Sequence, residues 1–115
     1  MIRITLFLIA AAFSASIVHA DDFDALERKA FAGDYQAQRN VAYWLTVGNA
    51  GAPPNNLILG CAWRMVILRS DSKQVHGGDL SNKQLYCDSR LDADGQLAAQ
   101  AQADKLIAQI AKRRK

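Results

Sequence analysis

Apolar residues recur along this chain at helical spacing and nowhere at the alternation of a strand. From Asp22 to Phe31, Phe23, Leu26, Ala30 and Phe31 share one face, Asp22 or Asp24 is placed to cap the start, and Gly33 ends the element. A second helix begins at Asp34, with Ala37, Val41, Ala42 and Leu45 as its buried stripe, Gln38 and Arg39 opening its polar side, and Gly48 as its stop. Asn49 to Asn56 reads as a turn, broken by Gly51 and Pro53-Pro54, in which Asn55 or Asn56 can cap the next helix. Leu57 to Arg69 is then a third helix. Ile58, Cys61, Ala62, Met65 and Leu68 take one side, and Trp63, Val66 and Ile67 leave almost no polar face, so it is expected at the centre with Arg64 and Arg69 snorkelling at its margin.

Ser70 to Asp79 shows no periodicity and reads as a connection. A short helix is expected from Leu80 to Cys87, and a long one from Asp92. In the long helix Ala99, Ala103, Leu106, Ile107 and Ile110 oppose Gln102, Lys105, Gln109 and Lys112. The expected class is all-α, in one small domain spanning residues 21–115.

The first twenty residues read as an export signal. Arg3 precedes the apolar run Ile4 to Phe13, and Val18-His19-Ala20 places small residues where a signal peptidase reads, so cleavage is expected after Ala20. The apolar run is shorter than the roughly 20 residues that cross a bilayer, which predicts no stable membrane anchor after cleavage and a periplasmic or secreted product.

Charge changes the picture only at the end of the chain. Of 14 basic residues one, Arg3, leaves with the signal, so 13 face 11 acids, a net charge of +2. Without Lys112-Arg113-Arg114-Lys115 the balance is 9 against 11, or −2, so the basic character belongs to the tail. Cations there fit a helix C-terminus. The body carries no basic stripe, which gives nucleic acid no support as a partner. The two cysteines, Cys61 and Cys87, are most simply a disulfide in an exported chain of this size.

Candidate chemistry is sparse. There is no Gly-x-Ser-x-Gly elbow, phosphate loop or His-Glu-x-x-His pair, so no enzyme activity, metal or cofactor is expected. Asp92-Ala93-Asp94-Gly95 begins like a calcium loop, but its glycine comes too early and no terminal Glu follows, leaving helix capping as its role. His76 is the one histidine after the signal, near Asp71 and Asp79, and reads as an exposed loop residue. Trp63 is expected in the core. Tyr43 and Trp44 are adjacent on one helix and point about 100° apart, so one of them is expected at the surface.

Ala30, Gly33-Asp34, Ala37-Gln38, Val41-Ala42, Leu45 and Gly48, followed after the loop by Gly60 and Trp63, form a pattern that resembles the Sel-one-like repeat family, a branch of tetratricopeptide-like helical repeats. The family usually has Leu-Gly where Val41-Ala42 stand, Ala where Gly60 stands, and Gly-Val-Pro where Gly51-Ala52-Pro53-Pro54 run. One repeat is covered, and Leu91 to Ile110 is similar to the capping helix that ends many such bacterial proteins, with Gly95 where a Glu or Gln would complete a capping box. The resemblance implies antiparallel helix pairs closed by a C-terminal capping helix, with Gly33, Ala37, Ala42 and Gly60 where helices touch.

The expected function is an exported adaptor that binds another envelope protein through the surface between its second and third helices. Arg39, Asn40, Tyr43 and Trp44, with Arg64 from the third helix, are the expected contacts, because aromatic and Arg side chains dominate interface energetics. The alternative is an inhibitor or immunity-type protein in which His76 and Gly77-Gly78 plug the cleft of an envelope enzyme or toxin.

Overall fold

The computed structural model describes residues 20–47 and 55–114. All but the last residue of the expected export segment, and the Gly48 stop with the Pro53-Pro54 turn, lie outside the described residues. Within them the protein is all-α: α1 Ala20–Phe31, α2 Tyr35–Val47, α3 Leu57–Arg69, α4 Gly77–Lys83, a π-helical turn Gln84–Asp88, and α5 Ala93–Arg113. None of these helices is long and apolar enough to cross a membrane.

The α1–α2 corner follows from Gly33-Asp34. Gly33 sits at φ +94°, a left-handed conformation that a Cβ would oppose. The Asp34 N–H closes α1 on the Lys29 carbonyl at 3.1 Å, while the Asp34 carboxylate opens α2 by accepting from the Ala37 N–H at 2.7 Å. Gly33 is thus a turn residue and not a helix–helix contact, its surroundings being the Arg114 side chain. Gln38, expected to begin the polar side of α2, is buried, and its amide donates to the Ala30 carbonyl at 3.1 Å. That carbonyl lies in the last turn of α1 and also accepts from the Gly33 N–H at 3.1 Å, so the buried amide is its second donor.

As expected, α3 is central, packing against α2, α4 and α5. Trp63 and Ile67 are among the most deeply buried side chains, and Phe31 meets Trp63 edge-on with ring centroids 5.1 Å apart. Asn56 is its cap, accepting from the Leu59 N–H at 3.0 Å, and the Asn56 N–H ties it to the Leu45 carbonyl at 2.8 Å. Ala37, Ala42 and Gly60 are all buried. A Cβ on Gly60 would lie 2.5 Å from Thr46 Cγ2 and 3.0 Å from Leu45 Cβ. Thr46 has little freedom to turn away, because its hydroxyl donates to the Ala42 carbonyl at 2.8 Å. Gly60→Ala is therefore expected to destabilise by ~1–2 kcal/mol despite its better helix propensity, measured by chemical denaturation.

The largest departure from the expected elements is α4. It begins at Gly77, inside the segment read as a loop, because His76 and Asp79 form a reciprocal capping box. His76 Nδ1 accepts from the Gly78 N–H at 2.9 Å and Asp79 Oδ2 from the His76 N–H at 3.1 Å. His76 is exposed, as expected. The expected single helix to Cys87 instead divides into α4 and the π turn, which ends by burying Cys87 against α3. Cys61 and Cys87 are joined in a disulfide with their Cα atoms 5.7 Å apart. Asp92 caps α5, accepting from the Gly95 N–H at 2.7 Å, and Ala99, Ala103, Leu106 and Ile110 are its buried face. At the far end Lys112 and Arg113 occupy the last turn, and Arg113 lies 4.6 Å over the Phe31 ring, binding part of the basic tail to the body.

Candidate functional site

Four of the five surface residues expected from the sequence converge. Arg39, Asn40 and Tyr43 on α2 and Arg64 on α3 line one groove of about 280 Å³, completed by Gln36, by Asn82 on α4 and by Tyr86 on the π turn. Trp44 is the exception: it is half-buried and stacks on Phe23 of α1 with ring centroids 5.5 Å apart. Of the adjacent aromatic pair it is Tyr43 that reaches the surface, 44% exposed.

The groove is polar above and cationic below. Gln36 donates to the Asn40 side-chain oxygen at 3.0 Å across one helical turn. Arg39 Nε stands 3.1 Å from Asp79 Oδ1, an ion pair too oblique for an aligned hydrogen bond. Tyr43 and Tyr86 meet edge to face with centroids 6.5 Å apart.

Arg64 departs from its expected place at the margin of α3, for it is only 4% exposed. Its guanidinium lies 4.7 Å from the Tyr86 ring centroid, and Nη2 reaches Thr46 Oγ1 at 3.5 Å. The physical reason is that Thr46 on α2 and Tyr86 on the π turn cover most of the side chain, leaving it open only toward the groove. Burial pushes its pKa down from the ordinary arginine value, more than any neighbouring charge does. An arginine still carries its charge under these conditions.

Asp79 is the hub behind the groove. Buried at the start of α4, it accepts from the Tyr35 hydroxyl at 2.6 Å and from the His76 N–H, and it pairs with Arg39. Burial, and then the hydrogen bond to Asp79, hold the Tyr35 phenol above its ordinary pKa. Asp79 falls in the segment that reads as a connection, and nothing in the sequence singles it out for the groove, nor Tyr86, Asn82 or Gln36. One signal was available, since Asp three residues after His76 has the spacing of a capping box.

The disulfide fixes the wall. Cys87 follows Tyr86 directly and Cys61 lies one turn before Arg64, so a single covalent bond holds the tyrosine ring over the guanidinium. A larger concavity of about 410 Å³ lies beside the α1–α2 corner, between Val66, Ile107, Ile110 and Arg114. Arg69 at its edge is already paired with Asp104 at 2.6 Å. Among the described residues no group of three or more His, Cys, Asp or Glu side chains is placed to hold a metal ion.

Compared with protein-family models, with curated proteins and with solved structures, the chain matches none.

Proposed function

We propose that this protein is an exported helical adaptor, a single-repeat relative of the Sel-one-like proteins, that docks another envelope protein in the groove between α2 and the π turn. The observation that carries this reading is the convergence there of an exposed Tyr43, the Tyr86 ring and two guanidinium groups. Aromatic and Arg side chains are the commonest centres of binding energy in protein interfaces, and the surrounding amides of Gln36, Asn40 and Asn82 offer the hydrogen-bonding rim that such centres have. The inhibitor reading has less support, because the imidazole that would plug a cleft is engaged as the cap of α4. Export accords with the disulfide, which persists in oxidising compartments.

In this reading the mature protein begins at Asp21 and works in the periplasm or outside the cell. The test is a photo-crosslinking phenylalanine analogue at position 40, in the groove, with the same group at exposed position 101 on α5 as control. One defined protein adduct from position 40 and none from 101 is expected. Equal adducts from both positions, or none from position 40, would remove the groove from the account.

A further inference from the structure

Arg64 has no direct ion-pair partner within the described residues. No carboxylate lies within ion-pair distance of it, and its Nε, fully buried, has no hydrogen-bond partner. The nearest acid on this side, Asp79, is already engaged by Tyr35, His76 and Arg39. Nor is the Thr46 carbonyl left for it, since Arg90 Nη1 donates there at 3.1 Å, while Arg64 reaches only the Thr46 hydroxyl. Leaving a cation buried with an unfilled donor is unfavourable unless an anion completes it.

We infer that the groove receives a glutamate side chain of the partner, its carboxylate held by Arg64 at the floor. This deepens the docking reading above and rests on it. The flat fork of a guanidinium matches the two oxygens of a carboxylate. Access to the floor runs beside the rings of Tyr43 and Tyr86, surfaces that suit methylene groups. An unbranched two-methylene stem carries the charge down that path and leaves the partner's backbone at the rim, among the amides of Gln36, Asn40 and Asn82. A chain-terminal carboxylate, attached directly at Cα, would draw backbone and side chain into the groove with it.

The experiment follows side-chain resonances of the wild-type protein, labelled with nitrogen-15, as capped peptides are added. Acetyl-Ala-Ala-Glu-Ala-Ala-amide is expected to move the Arg64 Nε–H resonance saturably. Its Gln counterpart is expected to bind about tenfold more weakly or worse, the loss of a charge-assisted hydrogen bond. Three results would each overturn the inference: an unmoved Arg64 resonance, equal binding of the Gln peptide, or an equal response to acetyl-Ala-Ala-Ala with a free carboxylate or to inorganic phosphate. The two readings separate cleanly. An Arg64 response without an adduct at position 40 keeps the glutamate site and removes the docking role, and an adduct without an Arg64 response does the reverse.

Discussion

Replacing both cysteines, Cys61→Ala with Cys87→Ala, is expected to lower the unfolding free energy by ~2–5 kcal/mol. The bridge spans a sequence separation of 26 residues. Closing a loop of that order restricts the unfolded chain by ~3–4 kcal/mol on the chain-entropy model. In a domain this small ~1 kcal/mol corresponds to a shift of about 4–8 °C in melting temperature, so the change is large in a thermal scan. A second effect is local. With Cys87 released, Tyr86 loses its tether over Arg64, and the near-ultraviolet circular dichroism of the aromatic residues should fall while far-ultraviolet helicity is retained at low temperature. An unchanged melting temperature would mean that packing of the π turn against α3 holds without the covalent bond.

Asp79→Ala is expected to cost ~2–4 kcal/mol, measured by denaturant unfolding. It removes three interactions of one buried carboxylate: the Tyr35 hydroxyl, the Arg39 guanidinium and the N–H of His76. Asp79→Asn keeps an acceptor for Tyr35 and His76 and should lose less, which separates the shape of the hub from its charge. In combination with Tyr35→Phe the Ala substitution should be less than additive, because the hydroxyl has already lost its acceptor. The sign of the pH dependence follows from the raised phenol. Tyr35 gives up its proton less readily in the folded state, so its contribution is complete below about 10, the ordinary tyrosine value. It is lost as pH rises from there through the folded-state value, and Tyr35→Phe should remove that alkaline limb.

The helices were legible in the sequence wherever a single face is apolar or a single residue dictates the turn. Phe23, Leu26 and Ala30 marked α1, Gly33-Asp34 marked its corner, and the run from Cys61 to Ile67 marked α3 as central. Four of the residues that line the groove, Arg39, Asn40, Tyr43 and Arg64, stand out by residue type, although the burial of Arg64 does not follow from its place on the helix. The rest depends on long-range contact. Gln38 has the composition of a polar face and is buried only because the end of α1 supplies a carbonyl for it. The start of α4 was hidden because Gly77-Gly78 are poor helix formers, and what holds them is a histidine cap with an aspartate anchored by Tyr35, far away in sequence. Trp44 and Tyr43 are indistinguishable as exposed candidates until Phe23 is seen to cover one of them.

If a protein partner is held in the groove and not by the His76 loop, Tyr43→Ala and His76→Ala will differ in their affinity for the protein captured from position 40, with the fold of both variants checked by circular dichroism. Tyr43→Ala is expected to lose ~2 kcal/mol or more, about thirtyfold in Kd, and His76→Ala to change little. Binding abolished by His76→Ala and untouched by Tyr43→Ala would place the partner at the His76 loop instead.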